Sequence, residues 1–296
     1  FGDVIALDHD GRAQQFRLTA IADAEARGIE AVRQDREAYD LPPGAERPAT
    51  LPRAVSFGSP EVILLDLPQL RDDIAAHQPL IAATAKPWPG ALAVYRSPGG
   101  DGFELLTTVR RRAHLGRLAA DLWSGPTSRF DIGNVLIFDL ASGQLESVSD
   151  LALFGGANAL AVETAQGRWE IVQAGHAELI APGRYRLTRL LRGQRGTEHA
   201  MGHPTPAGAR LVLLNEALTP LPIPEADLGI PINWRIGPAR HPVSSDTFAA
   251  VSFAPEGAGL RPFAPVHVTQ PWRHPHVPGD LVIRWSPGEP IVMSGA

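Results

Sequence analysis

The stretch Trp169–Glu198, WEIVQAGHAELIAPGRYRLTRLLRGQRGTE, constrains the fold more than any other part of this chain. Its apolar and alternating runs are those of two strands, and Pro182-Gly183 stands between them as a turn. It closes on Leu190-Leu191-Arg192-Gly193-Gln194-Arg195-Gly196-Thr197-Glu198, which offers glycines, arginines and one terminal carboxylate. A nucleophile, base or ligand set at fixed spacing is missing from that phrase. Elsewhere 29 glycines and 28 prolines punctuate the 296 residues without a fixed period. Such punctuation cuts the chain into many short segments and predicts an all-β fold with few or no long helices.

Composition narrows the function. A net charge of -5 and a pI near 6.1 argue against a nucleic-acid-binding surface, which is normally basic. A mildly acidic wall instead lets nucleic acid pass without holding it. The absence of cysteine removes disulfides, thiol nucleophiles and thiolate metal sites together. No run approaches the length of a membrane-spanning helix. The chain opens on Phe1-Gly2-Asp3 and goes straight into a strand pattern at Val4–Leu7, and Asp280–Trp285 begins another near the far end. Both ends read as cut from a longer polypeptide.

Four segments are expected. Residues 1–77 hold a small antiparallel meander (Asp3–Leu7, Gln15–Asp23 and Arg27–Arg33, with a turn at His9-Asp10-Gly11), a proline-rich linker over 40–60 and an apolar strand at Val62–Leu67. Residues 78–214 form a β-sandwich or barrel inserted into the first domain, with about ten strands, among them Gly143–Ser147, Arg168–Ala174 and His176–Ile180. Residues 215–270 return to pair with the meander. Residues 271–296 are a linker and the start of a following module.

No catalytic residue, cofactor site or metal site is legible. His199 and His203 lie four apart, but Gly196, Gly202 and Pro204 oppose a helix there, so the two read as a loop pair. Asp131, Asp139, Glu170 and Glu178 are among many acids, none in a glycosidase-type motif. There is no Gly-x-Ser-x-Gly elbow, and the Gly-rich turns lack the Lys-Ser/Thr of a phosphate loop. Two features point to binding. Trp88 and Trp123 stand in loops, where an indole face either stacks on a sugar ring or packs a corner of the fold. Arg184, Arg186, Arg189, Arg192 and Arg195 form the strongest basic cluster, read either as an interface between domains or subunits or as a solvated face.

The Leu190–Thr197 phrase carries a family resemblance. With Leu65-Asp66-Leu67-Pro68, Pro87-Trp88-Pro89-Gly90 through Ser97, and Gly156-Ala157-Asn158-Ala159, it resembles the C-terminal β-module of the multidomain "megatron" tail-tip (baseplate) proteins of gene transfer agents and related siphophages. Gly2–Leu7, Phe16-Arg17-Leu18 and Glu30–Arg33 are similar to the end of that family's tail-hub β-domain, and Pro262-Phe263-Ala264-Pro265 to the exit toward a fibronectin-type module. The resemblance implies a virion structural protein, assembled in the producing cell's cytoplasm. It implies a homotrimer closing the tail tube, joined to hub and distal-tail proteins, with DNA passing through and host attachment among its tasks. Longer members carry a glycosidase-like barrel upstream; no (β/α) alternation occurs here, so its activity is not expected of this segment. The alternative is a carbohydrate-binding module on cell-envelope polysaccharide or peptidoglycan, built around Trp88 or Trp123.

Overall fold

A computed structural model of the chain describes residues 3–34, 56–164, 167–262, 266–269 and 284–286. Most of the expected 40–60 linker, the 271–278 linker and the Phe263–Pro265 exit lie outside the described residues. The described residues are nearly all β, in two compact units, Phe1–Ala54 and Val55–Ala296.

The first unit is the predicted meander: β1 (Val4–His9), β2 (Arg12–Asp23) and β3 (Arg27–Arg33), all antiparallel. His9 pairs with Arg12 across the two-residue turn Asp10-Gly11, both at positive φ (55° and 72°), which matches the right-handed twist of the strands.

The second unit begins with β4 (Glu61–Leu65), β5 (Leu80–Thr84), β6 (Leu92–Ser97) and β7 (Glu104–Val109). A closed barrel follows, made of β8 (Leu115–Leu118), β9 (Leu136–Leu140), β10 (Ala159–Glu163), β11 (Trp169–Ala181), β12 (Arg184–Leu191) and β13 (Arg210–Leu213). Its strand order is β10-β11-β12-β9-β8-β13, closed by β13 on β10. Then come β14 (Thr219–Pro220), β15 (Ile232–Pro238) and β16 (Ala249–Phe253), and a separate pair, β17 (Val266–Thr269) and β18 (Arg284–Ser286). The long hairpin of β11 and β12 turns at Pro182-Gly183, with Ala181 opposite Arg184 and Gly183 at φ 73°.

Apolar burial stacks this unit in layers. The barrel interior holds Leu136, Phe138, Leu160, Val172, Leu187, Leu190 and Leu211. Its outer wall, through Leu115, Ala161, Trp169 and Val212, packs on Ile63, Leu65, Leu80 and Ala82 of the sheet β14-β5-β4. The other face of that sheet, Leu64, Ile81 and Ala83, packs on Leu92, Val94, Trp234 and Ile236 of the sheet β16-β15-β6-β7. β5 is thus buried on both faces, which explains its unbroken run Leu-Ile-Ala-Ala-Thr.

Of the two forms expected for the middle module, sandwich or barrel, the closed barrel is the one observed. Other expectations are corrected. The strands at 80–109 lie outside it and pair with β4, β14 and β15. The return segment pairs with β6 through β15, while the meander forms its own sheet. Gly143–Ser147 is not a strand, and the two expected strands at 168–180 are one, β11. β8 was not expected, nor was the one-turn helix α1 (Asp150–Phe154), capped by the Ser149 side chain.

Candidate functional site

The chemistry of this chain concentrates where the phrase after β12 meets the loop between β8 and β9. Arg192 leaves the end of β12 with its side chain fully buried. Its Nε and Nη2 donate to the two Glu170 oxygens at 2.7 and 2.9 Å, a bidentate fork between two groups that see no solvent. Glu170 also accepts from the Gly193 backbone N–H at 3.2 Å. The Arg192 Nη1 donates to the Trp123 carbonyl at 2.8 Å and lies 3.4 Å from Asp131 Oδ2. A buried charge is tolerated only when paired and hydrogen-bonded, and each member of this set meets that condition.

Asp131 carries the arrangement to the surface. Its backbone pairs in both directions with Leu190, at 2.8 and 2.9 Å, fastening the 123–134 loop to β12. The carboxylate accepts from the Gly133 and Asn134 backbone N–H groups and from Asn134 Nδ2 at 2.7 Å. Burial pushes the Asp131 carboxyl up, but the Asn134 side chain, the two backbone N–H groups and the Arg192 charge together hold it below the usual aspartate range. Asn134 also donates to the Ser124 carbonyl at 3.2 Å, closing the loop on itself. A Cβ at Gly125 would overlap the Asp131 carboxylate, so the chain needs glycine there.

The rest of the phrase is equally internal. Gly193 sits at φ 57°, and a Cβ on it would stand 2.7 Å from the Glu198 Cα. Thr197 donates to the Gln194 carbonyl at 2.7 Å and accepts from the Ile171 N–H at 2.9 Å, fixing the loop to β11.

Each of the five arginines of the predicted interface has a partner within the chain. Arg184 faces its cross-strand partner Asp139 with bonds of 2.7 and 2.8 Å, and this guanidinium holds the Asp139 carboxyl below the ordinary range. Arg186 meets its cross-strand partner Glu178 at 3.2 Å. Arg189 pairs with Asp150 of α1 and lies 3.9 Å over the Phe130 ring. Arg195 donates to the Gln69 carbonyl at 2.9 Å. For Arg192 the reading as an interface or a solvated face is corrected, because full burial leaves it nothing to offer a neighbouring subunit.

The tryptophans differ. Trp88 is half-buried against the core between the two flanking sheets. Trp123 is 58% exposed, on the loop whose carbonyl Arg192 holds. The two make no ring contact with each other among the described residues. His199 Nδ1 donates to the Gly196 carbonyl, whereas His203 Nδ1 meets Ser124 Oγ at 2.8 Å, so the pair does not converge. Among the described residues no group of three or more His, Asp or Glu side chains is placed to hold a metal, and no helix is long and apolar enough to cross a membrane.

Sequence reasoning missed Glu170, Asp131 and Asn134 as partners of the phrase. One signal was present: Glu170 interrupts the apolar run Trp169–Val172, and an acid in a buried strand must be paired. Comparison with curated proteins gives no match to this chain. Comparison with family models matches residues 113–212, the segment that folds as the barrel, to the family described as Rcc01698-like, C-terminal.

Proposed function

We propose that this chain is a structural component of a phage-like (gene transfer agent) tail tip, acting through assembly rather than chemistry. In this reading it contributes to the trimeric closure of the tail tube beside hub and distal-tail proteins, in host attachment, and in a passage through which DNA leaves without being bound. The observation that carries it is the use made of the Leu190–Thr197 phrase. Arg192, Gly193 and Thr197 direct their chemistry inward, to Glu170, the Trp123 carbonyl and the Ile171 N–H, as residues that build a wall do. The same phrase carries the resemblance to tail-tip proteins and falls inside the matched segment 113–212. The net charge of -5 fits a surface that does not retain DNA.

The test is immunogold electron microscopy of purified particles from the producing cell, with antibody raised against this chain. Labelling at the tail tip is expected. Particles devoid of the chain would overturn the reading. Analytical ultracentrifugation of the purified chain tests the trimer, with a mass three times 31.7 kDa expected.

A further inference from the structure

The loop that Arg192 holds presents a depression lined by Ser124, Pro126, Arg129, Ile132 and Asn134, and the exposed Trp123 directly precedes Ser124 in the chain. We infer that this depression is a saccharide-binding site, taking a neutral hexose or N-acetylhexosamine ring whose C–H face lies on the Trp123 indole. The inference rests on the reading that the chain contributes to host attachment, and it names the chemistry met there.

Three observations carry it. First, Trp123 is the most exposed tryptophan whose surroundings are described, and packing does not account for that. At 58% exposure its ring is open to solvent while its carbonyl is fixed by a buried arginine. An aromatic ring held on a pre-formed loop binds without first being ordered, which conserves affinity. Second, hydrogen-bonding groups of both kinds line the depression or, in His203, bond to its Ser124, with capacity left. Arg129 is exposed and has no hydrogen-bond or ion-pair partner among the described residues. The Asn134 amide oxygen and the His203 Nε2 likewise have none, although Asn134 Nδ2 and His203 Nδ1 are engaged within the loop. Free donors and acceptors near a loop that carries an exposed indole are the groups that the alternating C–H and O–H surface of a sugar ring calls for. Third, the charge balance suits a neutral sugar. Asp131 and Glu170 share the cation Arg192, and the exposed Arg129 brings the set to neutrality while its guanidinium is left to donate to hydroxyl or acetamido oxygens. Ile132, 85% exposed, gives the apolar ledge that an acetamido methyl or a second ring needs.

The test is isothermal titration of the purified chain with chitotetraose, and with tetragalacturonate as the acidic counterpart. Saturable binding of chitotetraose is expected, with tetragalacturonate weaker. Trp123→Ala should weaken chitotetraose binding about tenfold or more, while Trp123→Phe, which keeps the stacking face, stays within about threefold. Circular dichroism on each variant checks that the fold is kept, as expected for an exposed side chain. No saturable binding by the folded chain, or binding that Trp123→Ala leaves intact, would overturn the inference. So would self-association that Trp123→Ala abolishes without any sugar effect, since the loop would then be a protein contact. A chain found at the tail tip that binds no sugar sinks this inference alone, and a chain that binds sugar but enters no particle sinks the tail-tip reading alone.

Discussion

Arg192 and Glu170 face each other inside the barrel wall, joined by two hydrogen bonds of 2.7 and 2.9 Å between side chains that both see no solvent. Twenty-two residues apart in sequence, they meet because β11 and β12 pair antiparallel, with Gln173 opposite Leu191. The same guanidinium reaches across to the Trp123 carbonyl, so one buried cation couples the barrel wall to a surface loop.

Arg192→Lys should not rescue this arrangement. An ammonium is a point donor on a flexible stem and cannot fork to both Glu170 oxygens while also holding Trp123. A loss of about 2–4 kcal/mol in urea unfolding is expected. A variant as stable as the parent would show that the fork does not matter.

Asp131 gives the fold an acid limb. Unfolded, it titrates near its ordinary value of 3.8, and folded, it is held lower. Its contribution is therefore fully present above the unfolded value and fades as pH falls through the folded one. Urea midpoints measured from pH 6 downward should drop below about pH 4, and Asp131→Asn should flatten that drop. Equal pH dependence in the two proteins would rule Asp131 out as a source of it.

Gly125→Ala places a methyl where the Asp131 carboxylate sits. Either the loop or the carboxylate has to move, and about 1–3 kcal/mol of stability should go with it. Hydrogen exchange should show faster Gly133 and Asn134 amides, because both donate to that carboxylate. Slow exchange at both positions in the variant would contradict the geometry.

The exposed pairs should behave differently. Arg184 and Asp139 form a well-aligned cross-strand fork, yet both are about half exposed, and water screens them. Asp139→Ala should leave the urea midpoint unchanged within error, and Arg186→Ala likewise. A large loss in either would mean that the arginine cluster acts as a unit.

How far the sequence reached follows from range. The Pro182-Gly183 hairpin and the Asp10-Gly11 turn were legible because each signal is local, a residue type that a specific backbone angle demands. β8, Leu-Gly-Arg-Leu, is too short to show a period, and α1 is one capped turn. The pairing of β6 with β15 joins residues such as Leu92 and Pro238, and no local pattern marks it. Arg192 read as exposed because arginine in a glycine-rich loop usually is. Its burial depends on Glu170 and on Asp131, 61 residues away, meeting it at one end of a barrel whose closure is a property of all its strands.

The most direct test of the central claim, that the phrase is internal scaffolding, is a double-mutant cycle on Arg192→Met and Glu170→Met read by urea unfolding. Arg192→Met strands the buried Glu170, and Glu170→Met leaves the Arg192 fork unmet with only the longer contact to Asp131. Each should lose about 3–5 kcal/mol, while the double change should recover much of that loss. Losses that simply add, or single changes without effect, would contradict the account.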